Sequence, residues 1–314
     1  MSETFNENEF TKIAYYYYKI GMTQDEIARR FSMSRQRVNR ILKKCLETGV
    51  VTISIREFDN HNVELETQLE ELTGLREVVL STSEIEERNE SLGGTASAYL
   101  ERIIKDNDIV GFSRGRALSH LVANLAPVSH KNLTVTQLVG GLNAEEANTN
   151  SDNIVRETAR KLNAKPCFMY APIIVENKQL RDSMLRQSFY SQVYETMKRC
   201  TLAFVGIGNF SDQPGFVPRS FLFDEEYGEL QKRNAVGEIS TFYFDIEGKI
   251  IKSGVNERVF AIDYDSFVKI PVRVGIAAGE DKERAIIGAI RSGLINVLIT
   301  HLDTARRIIK AFRR

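Results

Sequence analysis

Long apolar runs are missing from this chain: none of its 314 residues fall in a stretch of 18 consecutive apolar positions, the length a membrane-spanning helix needs. Cysteine is scarce. Its three copies, Cys45, Cys167 and Cys200, are odd in number and far apart, which excludes a C-x-x-C metal or redox pair and fits buried thiols in a reducing compartment. The four histidines, His61, His120, His130 and His301, are equally scattered, so neither a metal nor another cofactor is expected. Net charge is absent as well, with 42 Lys/Arg against 42 Asp/Glu. At 42% apolar and 27% charged, the composition is that of a soluble globular chain of about two domains. The start, Met1-Ser2-Glu3-Thr4, has neither the basic residues nor the apolar core of a secretory signal, and the expected location is the cytoplasm. Catalytic signatures are lacking too: G-x-S-x-G, H-E-x-x-H and G-x-x-x-x-G-K-[ST] do not occur.

The neutral total hides an uneven distribution. Residues 1–56 carry ten Lys/Arg against six Asp/Glu, and Thr23–Lys44 carries seven against two, so a basic head precedes an acidic body. Phe10, Ile13, Ala14, Tyr17 and Ile20 recur at helical spacing up to Gly21. Thr23 and Glu26 form a capping box that starts a second, short helix with Ile27, Ala28 and Phe31 inward. Ser34 caps a third, whose inner face is Val38, Ile41, Leu42 and Cys45 and which ends at Gly49. Its outer face, Arg35, Gln36, Arg37, Asn39, Arg40, Lys43 and Lys44, holds almost nothing but cations and hydrogen-bonding groups. Short helix, tight turn and longer basic helix predict a helix-turn-helix, with Arg35, Gln36, Arg37, Asn39 and Arg40 at base edges and Arg29, Arg30, Lys43 and Lys44 on phosphates. Ser32 occupies the turn position where a positive backbone angle favours glycine, so mild strain is expected there. Val50–Arg56 alternates like a strand and predicts a minimal wing. Of Tyr15–Tyr18, at least two are expected to face the core.

The predicted domains are a helix-turn-helix head over 1–57, a linker helix over 58–75 and an effector domain over 76–314. In the linker, Val63, Leu65, Leu69 and Leu72 alternate with glutamates, which suits a connecting helix or a dimer seam. Beyond it, strand-like runs (Glu77–Ser81, Asp108–Phe112, Thr134–Val139, Lys165–Val175, Thr201–Gly206, Glu238–Asp245, Val272–Ala278, Asn296–Thr300) alternate with helical patterns, the signature of an α/β fold with a mostly parallel sheet. Ligands of such sheets bind beyond the carboxyl ends of the strands, so the turns there are the candidate site: Ser113-Arg114-Gly115-Arg116, Gly140-Gly141-Leu142-Asn143, Gly206-Ile207-Gly208-Asn209 and Gly279-Glu280-Asp281-Lys282. The third begins as G-x-G, but Ser211 stands where a dinucleotide fingerprint needs glycine.

TQDEIARRFSMSRQRVNRILKKCLETGVV, LVGG, FVGIG, AVGEISTFYFDIEGK (235–249) and above all IPVRVGIAAGEDKERAIIGAIRSGLINVLITHLDTARRII (270–309) resemble the SorC family of bacterial sugar-responsive transcriptional regulators, over nearly the whole length. The branch containing the autoinducer-2 uptake repressor is similar. The resemblance implies a homotetramer whose effector domain is related to sugar-phosphate isomerases and deaminases and binds a sugar, polyol or sugar phosphate without turning it over. It implies that Lys282 contacts the ligand's phosphate or hydroxyls, that Asp245 accepts from ligand hydroxyls, and that Ser113, Arg114, Gly115, Arg116, Gly140, Gly141, Asn143 and Gly208 belong to the surrounding turns. Arg114 replaces the family's usual aromatic, Ala117 its threonine and Ala278 a glycine. Arg114 either supplies countercharge to an anion or shapes the pocket for an unphosphorylated polyol. The implied function is a DNA-binding regulator of a carbohydrate or polyol operon. An isomerase or deaminase bearing an accessory head, and a module using the head as a docking hairpin, are the competing readings.

Overall fold

A computed structural model describes residues 7–53, 61–81, 88–142, 149–210 and 222–313. The chain divides into two units, Met1–Asn60 and His61–Arg314.

The first unit is three helices, α1 (Glu7–Tyr18), α2 (Gln24–Arg30) and α3 (Arg35–Glu47). Thr23 caps α2, with Glu26 Oε2 accepting from the Thr23 amide, and Ser34 Oγ accepts from Arg37 N to cap α3. Between them Ser32 sits at φ 51°, the strained turn expected of a non-glycine residue there. Ile13, Ala14, Ile27, Ala28, Val38, Ile41, Leu42 and Cys45 form the buried centre, with Tyr16 and Tyr17 packed against it while Tyr15 and Tyr18 stay exposed. The predicted wing strand is corrected in part: Val50–Ile53 adopts no strand, and Ser54–Arg56 lies outside the described residues.

In the second unit α4 (His61–Thr73) leads into β1 (Glu77–Ser81), α5 (Arg88–Ile103), β2 (Ile109–Phe112), α6 (Arg116–Asn124), β3 (Thr134–Gln137), α7 (Ser151–Lys161) and β4 (Lys165–Cys167). Then follow α8 (Lys178–Leu185), α9 (Ser188–Lys198), β5 (Leu202–Gly206), β6 (Gly208–Asn209), α10 (Asp224–Lys232), β7 (Ala235–Ile239), β8 (Phe242–Asp245) and β9 (Ile250–Ile251). The last elements are α11 (Tyr264–Phe267), β10 (Val272–Ile276), α12 (Glu283–Arg291), β11 (Val297–His301) and α13 (Leu302–Phe312). Helix α4, expected as a linker, packs on α13 and β1, burying Leu69 and half-burying Leu65, while Val63 and Leu72 remain exposed.

Seven parallel strands run in the order β1-β11-β10-β5-β2-β3-β4, and β6-β7-β8-β9 make a separate antiparallel sheet. Continuous apolar runs such as Val297–Ile299 suit strands buried on both faces. The chain winds outward from β2 through β3 to β4 on one side and from β5 through β10 to β11 on the other. Strand order therefore reverses between β2 and β5, and ligands of such sheets bind in the crevice beyond the carboxyl ends at that point.

Two sequence expectations need correction. The single strand over Glu238–Asp245 is a hairpin turning at Ser240 (φ 49°) and Thr241 (φ 75°). Two consecutive left-handed residues are what a tight hairpin requires, but without the usual Asn-Gly or Asp-Gly the turn carries no sequence signal. The strand over Lys165–Val175 stops at Cys167; beyond it only isolated bridges at Pro172 and Ile174 continue the pairing.

Candidate functional site

On α3 the buried Val38, Ile41, Leu42 and Cys45 fix which side faces inward. At about 100° per residue, Gln36, Arg40 and Lys43 stand opposite that side, Arg37 and Lys44 about a quarter-turn to one flank, and Arg35 and Asn39 to the other. All seven are exposed. The second flank faces α2: Arg35 lies 3.8 Å from Asp25, and Gln24 Nε2 donates to Asn39 Oδ1 at 3.5 Å. Gln24, at the first position of α2, escaped sequence reasoning because only the folded crossing brings it to α3. Ser34 serves as the cap, and Arg30 stacks over the Tyr16 ring, 4.5 Å from its centroid.

In the effector unit the β2 and β5 turns meet at the point of reversal. Ser113 is fully buried; its amide donates to Phe204 O (3.1 Å) and its hydroxyl accepts from Gly206 N (3.3 Å). Gly115, at φ 124°, begins α6 in a backbone conformation closed to other residues, and Arg116 opens that helix exposed. Lys282 reaches in from the turn after β10, its Nζ donating to Ile207 O at 2.8 Å. The structure brings Arg114 and Lys282 within electrostatic reach of one buried carboxylate, Glu238 of β7, and Arg116 within reach of Lys282. Burial pushes the Arg114 guanidinium and the Lys282 ammonium below their ordinary ranges, and Glu238 partly offsets both. Tyr243, fully buried opposite Glu238 in the hairpin, is raised well above the usual phenol range by burial and by that carboxylate. A Cβ at Gly208 would fall 2.9 Å from Glu238 Cγ, so the glycine leaves the acid its place.

Other expected site residues do different work. The amides of Gly140 and Gly141 donate to Phe260 O and Ala171 O, both at 2.8 Å, so they are spent on the fold and cannot cradle an anion. A side chain at Gly140 would come within 2.6 Å of Pro172 O, which explains the glycine as close backbone packing. Asp245 Oδ1 accepts from Glu247 N (3.0 Å) and Lys249 N (2.9 Å), closing the turn after β8. Asn143 lies outside the described residues. Glu238 was missed although AVGEI carries a signal for it: a lone acid between a glycine and an isoleucine in an otherwise apolar strand.

Residues 59–310 match the family model described as "Putative sugar-binding domain", and residues 6–48 match "Sigma-70, region 4". The sorbitol operon regulator of Klebsiella pneumoniae is 30% identical, over 95% of this chain and 96% of its own length. The chain belongs to the SorC family. The crystal structure of full-length SorC from Klebsiella pneumoniae superposes with a TM-score of 0.76 at 29% identity, covering 97% of this chain and 99% of that one. The transcriptional regulator LsrR of Escherichia coli is 26% identical over 97% of this chain and 95% of its own. This SorC-family chain is thus a DNA-binding transcriptional regulator of a carbohydrate operon, with a helix-turn-helix head and a sugar-binding α/β domain. Among the described residues no helix is long and apolar enough to cross a membrane.

Proposed function

We propose that the effector is a phosphorylated sugar or polyol whose anionic end is received by Arg114, Arg116 and Lys282 and whose hydroxyls donate to Glu238. One observation carries this reading: two cations held at a desolvation cost beside a buried carboxylate, at the crevice where the strand order reverses. Arg114, Arg116 and Lys282 are the cations such a ligand's phosphate would meet by charge-assisted hydrogen bonds. Arg114 then supplies the countercharge that a loop with Ala117 in place of threonine lacks as a hydroxyl. The group binds and reports; no bond-making step is assigned to it. The regulator names of the relatives support that reading, and a sugar-phosphate turnover assay yielding product would replace it with the isomerase alternative.

In the head, Gln36 and Arg40 read base edges from the middle of the outward face, and Arg37 and Lys44 on its flank hold phosphates. A homotetramer places paired heads at half-site spacing, and the cytoplasm is where such a protein meets chromosomal DNA.

Sorbitol 6-phosphate, chosen because the Klebsiella relative is a sorbitol operon regulator, tests the site by calorimetric titration of the full chain beside sorbitol itself. The phosphate is expected to bind at least tenfold more tightly, about 1.4 kcal/mol. Equal affinity for the two would remove the anion from the reading.

A further inference from the structure

Helix α13 touches the effector loop at one end and α4 along its side. Gly279 N donates to the buried Thr304 Oγ1 at 3.1 Å, and Arg307 pairs with Glu280 at 2.8 Å. Thr304 and Arg307, three residues apart, share one face of α13. Gly279 stands at φ 120°, a glycine-only conformation, so its peptide plane has little freedom once Thr304 holds the amide. The same turn carries the effector lysine: Lys282 N donates to Gly279 O (3.3 Å), and Lys282 Nζ closes on Ile207 O. An unbroken run of hydrogen bonds therefore joins α13 to the crevice.

Ala305, Ile308 and Ile309 of α13 lie in the same core as Leu65 and Leu69 of α4. Helix α4 is stapled in turn to the edge of the sheet, where Glu70 Oε1 accepts from Val78 N (2.8 Å) and Glu66 Oε1 from Leu80 N (2.7 Å). Those carboxylates satisfy amides that an edge strand would otherwise leave open. The effector unit begins at His61, the first residue of α4, and so at the end of this unit that follows the head in sequence.

We propose that Thr304 and Arg307 are positioning residues that carry occupancy of the effector site to α4 and so to the DNA-binding head. Ligand oxygens compete with Ile207 O for Lys282 Nζ. The Gly279–Lys282 turn follows the lysine, and α13, pinned to that turn at two places, takes α4 with it. The buried Thr304 contact is the stronger of the two links, since the Arg307–Glu280 pair is solvent-exposed and screened. This inference rests on the phosphate reading of the site given above.

The test measures operator affinity of the full chain by fluorescence anisotropy with and without saturating sorbitol 6-phosphate. Wild type is expected to shift about tenfold or more, within the usual range of coupling between sites. Thr304→Val keeps shape but loses the acceptor, and its shift should fall below about threefold while calorimetry still detects the phosphate; Thr304→Ser should restore the response. Arg307→Glu, on the surface and safe for folding, should lose part of the shift, and adding Glu280→Arg should return it. Variants that respond like wild type would overturn the coupling, as would a Thr304→Val protein whose only defect is lost phosphate binding. If Thr304→Val fails to fold, the surface charge swap decides. Wild type that binds no sorbitol 6-phosphate would instead overturn the reading of the site, and the coupling with it.

Discussion

Replacing Arg40 with alanine is expected to weaken operator binding by about 1–3 kcal/mol per half-site, the cost of one lost bidentate base contact. The expectation follows from rotation along α3. Its buried residues leave Gln36, Arg40 and Lys43 at the centre of the exposed face, while Arg35 and Asn39 are turned toward α2 and its Asp25 and Gln24. A recognition helix presents the middle of that face to the groove floor and its flanks to the strands. Arg40→Ala should therefore also relax sequence preference at one base position, whereas Arg37→Ala and Lys44→Ala should weaken all sequences alike and flatten the salt dependence. Gel-shift titrations against an operator and its single-base variants measure both effects. Arg37→Ala changing sequence preference, with Arg40→Ala leaving it intact, would reverse the assignment.

Lys282→Ala is expected to lower affinity for sorbitol 6-phosphate at least tenfold and to remove the operator response to it. The ammonium is desolvated in the free protein, so its pKa lies below that of an ordinary lysine. Anion binding needs the protonated form. Affinity should therefore decline as pH rises through the depressed pKa, before free lysine would lose its proton. Lys282→Arg, which stays charged throughout, should show a flatter alkaline limb in calorimetric titrations. Identical alkaline profiles for wild type and Lys282→Arg would take Lys282 out of contact with the anion.

Legibility in the sequence followed the range of the interactions concerned. The head was readable nearly residue by residue, because caps, helical spacing and the Ser32 turn are set by neighbours within four positions. The parallel strands were readable as apolar runs, and the crevice as the turns that follow them. Contacts closed by tertiary packing were not. Asp245 and Glu238 occupy the same fifteen-residue segment, AVGEISTFYFDIEGK, and only the tertiary packing that buries Glu238 in the strand sets it apart. The Ser240-Thr241 turn lacks glycine and so concealed the hairpin that places Tyr243 opposite Glu238. Gly140 and Gly141 read as an anion cradle by composition, yet their amides pair with Phe260 and Ala171, far off in sequence. Coupling between α13 and the Gly279 turn left no local trace, since Thr304 looks like any threonine near a helix start.

Regulation by a phosphorylated ligand is tested most directly by operator affinity of the intact protein, measured for one genomic operator fragment with sorbitol 6-phosphate, with sorbitol and with neither. The account predicts that the phosphate changes operator affinity about tenfold or more and that sorbitol at the same concentration leaves it unchanged. An operator affinity indifferent to both compounds, or moved equally by each, would contradict it.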